Sequence, residues 1–135
     1  MGAVLIYLDA NVVIRLVEGD SVTRAPLEAR LKPFLGVAGS LSTSRLTRLE
    51  CRTKPLQAND LATLSSYELF FSGMELKVVE LDPMVVEVAT EVRARYGLRT
   101  PDALHLASAV AARSTLFLTG DQSFTKCREI PVEIL

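Results

Sequence analysis

The sequence has few of the residues that bind soft metals. It contains one histidine and two cysteines, Cys51 and Cys127, which lie far apart among its 135 residues. No zinc-binding spacing can be built from them, and two isolated cysteines favour a reduced, cytoplasmic protein. The first apolar run is too short for a signal peptide and follows no basic segment. No stretch reaches the roughly 20 apolar residues that span a bilayer, so we expect no membrane association.

An excess of charge of either sign is also lacking. Fifteen basic and sixteen acidic residues give a formal net charge of −1. There is no global basic signal for nucleic acid, so RNA binding would need a local patch. Apolar residues make up 49% of the chain, which is enough to bury a core at this length. We therefore predict one domain over residues 1–135.

Short apolar runs without alternation, separated by segments with helical periodicity, organise the chain. The runs predict strands at 4–8, 37–43, 76–81, 115–118 and 132–135. Helices are predicted at 11–18, 24–35, 45–53, 59–71, 83–96 and 102–113 from apolar spacing, caps and Pro or Gly stops. Alternation of this kind predicts an α/β fold with three layers, α/β/α, around a central parallel sheet.

Two acids follow predicted buried strands directly. Asp9 ends the first strand, and Asp121 follows the strand at 115–118 after Thr119 and Gly120. In a parallel sheet both lie at the edge where the strands end, which is where ligands bind in open α/β sheets. The alternative is that each acid simply caps the next helix. Asn11 could orient the Asp9 carboxylate or cap the helix itself.

Asp102 begins the last predicted helix, immediately after Thr100 and Pro101. An acid there gains about 0.5 kcal/mol from the helix dipole, which would explain it without a function. The helix is apolar nearly all round, however, so it must be covered, and its leading acid is expected to project into a cleft. His105, one turn further on, has no second histidine or cysteine nearby. A core or interface histidine is the preferred interpretation over a metal ligand.

The helix predicted from residue 45 divides into two faces when each residue is rotated by about 100°. Arg45, Arg48 and Arg52 share one face, and Leu46, Leu49, Glu50 and Thr53 share the other. Glu50 is therefore expected to flank the buried side, where a glutamate is uncommon without a partner. The arginine face is interpreted first as solvated surface and second as a phosphate-binding stripe.

The four acids, without a histidine or cysteine cluster, make an oxygen-rich set. Such a set selects a hard cation, Mg²⁺ or Mn²⁺, over zinc. Four carboxylates gathered without a cation would repel one another or take up protons. A divalent ion relieves the repulsion and can activate a bound water for attack on a phosphodiester.

Four segments together resemble PIN domains, and among them the VapC-type ribonuclease toxins of toxin-antitoxin pairs. The segments are 7–11 (YLDAN), 44–51 (SRLTRLEC), 100–107 (TPDALHLA) and 118–124 (LTGDQSF). The resemblance assigns an acidic metal site to Asp9, Glu50, Asp102 and Asp121, supported by the polar residues Asn11, Ser44 and Thr119. Many relatives carry a further acid where this chain has Ser123, so the resemblance leaves open whether the site holds one ion or two. The resemblance also implies a homodimer, an RNA substrate and a small protein antitoxin.

The leading hypothesis from the sequence is thus a metal-dependent endoribonuclease. Asp9, Asp102 and Asp121 would be the principal ligands, Glu50 would complete the site or position water, and the arginines would contact phosphates. A receiver-type phosphoacceptor is a second possibility because Asp82 also follows a strand, but the paired acids and the lysine expected of receivers are missing. A third is an inactive PIN scaffold that acts by binding a protein.

Overall fold

The computed structural model describes residues 4–135, so the first three residues of the predicted domain lie outside it. Its centre is a five-stranded sheet in the order β3-β2-β1-β4-β5, and every neighbouring pair of strands is parallel. The strands are β1 (Ile6–Leu8), β2 (Leu41–Ser44), β3 (Leu76–Val79), β4 (Leu116–Thr119) and β5 (Val132–Ile134). The order reverses between β1 and β4, and this reversal opens a crevice at their carboxyl ends.

Within residues 4–135, six helices cover the sheet. They are α1 (Ala10–Glu18), α2 (Ser21–Leu31), α3 (Arg45–Gln57), α4 (Leu61–Phe71), α5 (Pro83–Tyr96) and α6 (Thr100–Ala111). Side-chain oxygens at Asp9, Asp20, Ser44, Asp60 and Asp82 accept hydrogen bonds from the first-turn amides of α1 to α5. These polar residues start the helices because they satisfy N–H groups that lack an intrahelical partner.

The core lies on both faces of the sheet. Ile6 and Leu8 of β1 pack with residues of α1 to α4, whereas Tyr7 packs on the other face with residues of α5 and α6. All three are fully buried, which is why β1 is apolar at every position instead of at alternate ones. The predicted three-layer α/β/α fold with a central parallel sheet is confirmed.

Several predicted boundaries are wrong by up to one helical turn. The second strand begins at Leu41, because Gly39 adopts a positive φ of 68° within a turn. The second helix starts at Ser21, capped by Asp20, and gives way to a 3-10 turn at Lys32–Phe34, which contains Pro33. The helix predicted to stop before Lys54 runs through Pro55 to Gln57, and the Pro55 ring is buried.

The predicted buried face of α3 is also wrong. The helix buries Thr47, Cys51 and Pro55, whereas Leu49 is 63% exposed. Thr47 packs beneath β2 because its hydroxyl bonds to that of Thr43 at 2.7 Å. The small residues spaced four apart therefore form the buried face of α3, and Glu50 lies half-buried beside Cys51 at the margin of that face. Among residues 4–135, no helix is both long and apolar enough to cross a bilayer.

Candidate functional site

Asp9 both caps α1 and lies at the centre of the sheet edge. Its Oδ1 accepts from the Ala10 amide at 2.9 Å, and its Oδ2 accepts from Thr119 Oγ1 at 2.7 Å and Asn11 Nδ2 at 3.1 Å. The residue is only 4% exposed. Burial raises the pKa of this carboxyl above its ordinary value, and His105 and the hydrogen bond from Thr119 oppose the rise in part. Asp9 is therefore a desolvated carboxylate with a strong preference for a nearby cation.

A hydrogen-bond network joins Asp9 to the end of β4. Asn11 Oδ1 accepts from the Gly120 amide at 2.8 Å, and Thr119 Oγ1 accepts from the Asp121 amide at 3.0 Å. Thr119 is fully buried between the two acids. The network fixes the backbone of Asp121 relative to the Asp9 carboxylate, although more than a hundred residues separate them in the chain.

Glu50 is connected to the same point through a buried histidine. His105 Nε2 lies 2.6 Å from Glu50 Oε1 and 3.7 Å from Asp9 Oδ1, and its Nδ1 lies 2.9 Å from the Tyr7 hydroxyl. Because a carboxylate can only accept, Nε2–H donates to Glu50, and in the neutral ring Nδ1 accepts from Tyr7. His105 is a core residue, as predicted, but its position holding Glu50 was not predicted. The sequence signal for this role was the position of His105, one helical turn after Asp102.

Asp102 lies close enough to Asp9 for its charge to raise the Asp9 pKa further. Its Oδ2 accepts from Arg99 Nε at 3.1 Å. The pKa of Arg99 is raised first by this hydrogen bond and the charge of Asp102, and then by the charges of Asp121 and Glu50. One guanidinium therefore contacts Asp102 and lies within electrostatic range of Asp121 and Glu50. Arg99 was not among the residues that the sequence singled out.

The remaining predicted residues have defined local roles. Ser44 is fully buried and caps α3 by accepting from the Thr47 amide at 3.4 Å, so it fixes the start of the helix that carries Glu50. Asp121 Oδ1 accepts from the Ser123 amide at 2.9 Å in the turn after β4. Asp102 and Asp121 line one cleft.

The arginines of α3 are paired with acids of neighbouring elements. Arg45 makes two hydrogen bonds to Glu80, at 3.0 and 2.6 Å. Arg48 donates to Glu68 at 2.6 Å, and Arg52 lies 3.4 Å from the same carboxylate. The arginines do share a helix face, but their charges are largely balanced by Glu80 and Glu68.

The acids do not form a closed metal cage on their own. Among residues 4–135, no three carboxylate, imidazole or thiolate groups already lie with metal-ligand spacing. The donor set nevertheless fits a hard divalent cation, because it consists of carboxylates from four elements and includes the desolvated Asp9. Arg99 Nε already occupies Oδ2 of Asp102, so its guanidinium would compete with a cation for that carboxylate.

The model of the PIN domain family matches residues 6–130. The chain belongs to the PIN domain family. Among curated proteins, none matches this PIN domain at a significant level. The family predicted from the four segments is confirmed by the match.

Solved structures share this fold over nearly their whole length. VapBC2 from Rickettsia felis, bound to a DNA fragment from its promoter, is 13% identical with a TM-score of 0.76, and the match covers 96% of this chain and 98% of that one. DNA-bound VapBC from Salmonella typhimurium is 17% identical with a TM-score of 0.72, covering 97% and 98%. A toxin-antitoxin complex from Klebsiella pneumoniae is 21% identical with a TM-score of 0.69, covering 93% and 94%. At these identities the likeness concerns the fold.

Proposed function

We propose that this single-domain protein is a metal-dependent endoribonuclease and the toxin of a toxin-antitoxin pair. The observation that carries the proposal is the convergence of acids from four elements on the edge where β1 and β4 end. Asp9 is linked to Asp121 through Thr119, and to Glu50 through His105, and the charge of Asp102 acts on Asp9. Membership of the PIN family and the likeness to VapBC structures support the same function.

Asp9, Asp102 and Asp121 would hold one or two Mg²⁺ or Mn²⁺ ions, with Glu50 completing the site. A bound divalent ion supplies charge stabilisation at the phosphate and a lower pKa for a coordinated water. The protein supplies the order around it. Thr119 and Asn11 both donate to Oδ2 of Asp9, the Ala10 amide donates to Oδ1, and Ser44 sets the origin of α3.

Glu50 is suited to handle a proton. Its Oε1 is held by His105 Nε2, which leaves Oε2 available to accept a proton from an attacking water at the phosphodiester. His105 is itself held by the Tyr7 hydroxyl. This buried relay orients the carboxylate, and we propose a positioning role for His105.

Arg45, Arg48 and Arg52 are proposed as phosphate contacts along α3. Their ion pairs are wholly or partly exposed, and exposed pairs contribute only about 0–1 kcal/mol. A polyanionic strand can therefore compete for these arginines without a large loss in folding stability.

The proposed partners are RNA as substrate, a small antitoxin and a second copy of the chain in a homodimer, all in the cytoplasm. Apolar side chains exposed on α3 and α4 support a protein partner, because exposed apolar area is a common feature of interfaces. These side chains are Leu49, Leu56, Leu61 and Leu69.

The alternative of a phosphoacceptor gains no support. Asp82 caps α5 by accepting from the Val85 amide at 2.9 Å, and β3, which precedes it, is separated from β1 by β2. Asp82 is therefore not a neighbour of Asp9. An inactive scaffold would differ from the proposed enzyme only in that it does not cleave RNA. A cleavage assay distinguishes the two.

The test is cleavage of total cellular RNA with Mn²⁺ by the wild type and by Asp9→Asn. We expect Asp9→Asn to lower the cleavage rate by more than roughly 100-fold, since even outer partners of a metal site cost about 10–100-fold. EDTA should abolish wild-type cleavage. Asp20→Asn is the matched control, because Asp20 also caps a helix but is exposed. Undiminished cleavage by Asp9→Asn or in EDTA would contradict the proposal, and a wild type without activity would favour the scaffold.

A further inference from the structure

A cleft beside the acids is lined by two cations as well as two carboxylates. It has a volume of about 380 Å³ and lies among Gly97, Leu98, Arg99, Asp102, Asp121, Ser123 and Lys126. Arg99 precedes α6, and Lys126 follows the 3-10 turn after β4. Positive and negative groups thus meet in the same cleft at the sheet edge, and the function proposed above uses only the negative ones.

Arg99 has hydrogen-bonding capacity to spare. Its side chain is 79% exposed and uses Nε to reach Asp102. Within residues 4–135, no hydrogen bond from its two terminal nitrogens is found. A guanidinium carries five N–H donors in a planar fork that matches phosphate oxygens. Leu98 is buried immediately before it, so the backbone that presents the fork is anchored.

Lys126 lies on a backbone segment anchored by buried neighbours, and its own side chain is exposed. Phe124 and Cys127 on either side are buried, while Lys126 is exposed. In the part of the chain that the structure describes, its ammonium has no ion-pair partner within 4.0 Å. The α3 arginines differ in this respect, because Glu80 and Glu68 already occupy them.

We propose that Arg99 and Lys126 form the phosphate-binding wall of the acidic cleft. This inference rests on the proposed function, which requires a phosphodiester beside Asp102 and Asp121. Arg99 would exchange its contact with Asp102 for a phosphate oxygen of the RNA strand if a divalent ion competed for that carboxylate. The pair of cations then holds the strand at phosphates next to the one that is cut, and Lys126 acts as a point charge.

RNA binding is measured in the Glu50→Gln background, so that cleavage does not interfere while Asp9, Asp102 and Asp121 remain to hold the ion. The probe is a fluorescent single-stranded RNA of mixed sequence, with Mg²⁺ present and the salt concentration varied. We expect Arg99→Ala and Lys126→Ala each to weaken binding roughly tenfold, as loss of a charge-assisted contact should. Each should also lower the slope of log affinity against log salt by about 0.7, the value for one phosphate contact on a single strand.

Lys77→Ala is the matched control, because Lys77 is an exposed cation on β3 outside the cleft. Its affinity and salt slope should stay those of the parent. Unchanged binding by Arg99→Ala and Lys126→Ala, or a parent that does not bind RNA, would overturn the inference. So would a loss confined to Arg48→Ala and Arg52→Ala. Poly-glutamate bound as tightly as RNA would also overturn it, by indicating a site for acidic protein segments.

A second measurement tests the exchange at Asp102. We expect Arg99→Ala in the otherwise wild-type protein to bind Mn²⁺ several-fold more tightly by calorimetry, because no guanidinium competes for the carboxylate. Unchanged or weaker Mn²⁺ affinity would contradict the exchange. These readouts are independent of cleavage. Failure of the phosphate wall would leave Asp9-dependent cleavage intact, whereas failure of the proposed function would remove cleavage from the wild type itself.

Discussion

At the scale of single residues, the four acids are held in four different ways. Asp9 is buried and accepts hydrogen bonds from Ala10, Asn11 and Thr119. Asp121 accepts a hydrogen bond from the Ser123 amide in the turn after β4. Glu50 is held by His105 and Asp102 by Arg99. Asp9 can serve both as a helix cap and as the proposed metal ligand, because its two oxygens have different partners. Oδ1 accepts from the Ala10 amide, and Oδ2 accepts from Thr119 and Asn11. A carboxylate fixed this firmly is pre-organised for a cation.

The raised pKa of Asp9 gives a signed prediction for stability without metal. The folded state holds this proton more tightly than the unfolded state does. The unfolding free energy therefore falls as pH rises from the ordinary aspartate range toward the raised folded pKa. Asp9→Asn removes this ionisation, so its stability relative to the wild type should increase as the pH rises above the ordinary aspartate pKa of about 4. Urea unfolding in EDTA measures the difference.

Asp20→Asn should show the opposite trend. Hydrogen bonds from Thr23 lower the pKa of Asp20, so its charge stabilises the fold at neutral pH and the benefit is lost as pH falls through the lowered value. The stability of Asp20→Asn relative to the wild type should accordingly decrease as pH rises. If both variants follow the same trend with pH, burial of Asp9 is not the cause.

At the scale of elements, the helix ends illustrate how local chemistry sets the framework for the site. Gly97 ends α5 with a φ of 68° and donates its amide to Arg93 O at 2.8 Å. Arg113 follows α6 with a φ of 59° and donates to Val110 O at 3.0 Å. The first is the residue best suited to the left-handed conformation, and the second is an L-residue strained in it.

Substitutions at these two ends should change stability in opposite directions. Gly97→Ala should lower the unfolding free energy by about 1 kcal/mol, because only the backbone conformation is penalised. A Cβ at this position would meet no atom within 4 Å. Arg113→Gly should raise the unfolding free energy by about 0.5–1 kcal/mol, since relief of strain exceeds the added entropy of the unfolded chain. Urea unfolding measures both, and a stabilising Gly97→Ala would contradict the argument.

At the scale of the whole molecule, the strand order brings the site together. The chain builds β1, β2 and β3 outward and then returns to add β4 on the other side of β1. Asp9 consequently meets Thr119 from 110 residues away, and α3 and α6 bring Glu50 and His105 into contact across 55 residues. The site therefore exists only when the complete sheet is formed.

This dependence predicts that metal binding stabilises the entire fold. Because a divalent ion would bind the folded protein and not the unfolded chain, saturation at about 100 times the dissociation constant should add about 2.7 kcal/mol. Mn²⁺ should therefore raise the Tm of the wild type by several degrees in a thermal shift measurement, and EDTA should reverse the change. Lys77→Ala should respond like the wild type. An equal rise in Asp9→Asn would show that the stabilising ion binds elsewhere.

The sequence by itself determined the alternation of strands and helices, some of the capping residues, among them Ser44 and Asp82, and the family, and it predicted four acids as the site. These features depend on local periodicity and on contacts within three or four positions, which the order of residues specifies directly. Only the tertiary structure decided which face α3 buries, that its arginines pair with Glu80 and Glu68, and that His105 and Arg99 hold Glu50 and Asp102. The ion pairs of the α3 arginines and the contact between Glu50 and His105 join elements that are far apart in the chain. The pairing of Arg99 with Asp102 depends on where α6 packs against the sheet edge that carries the acids. In the sequence alone, each arginine has several acids that are chemically equivalent as partners. Tertiary packing selects the acid that comes within contact distance.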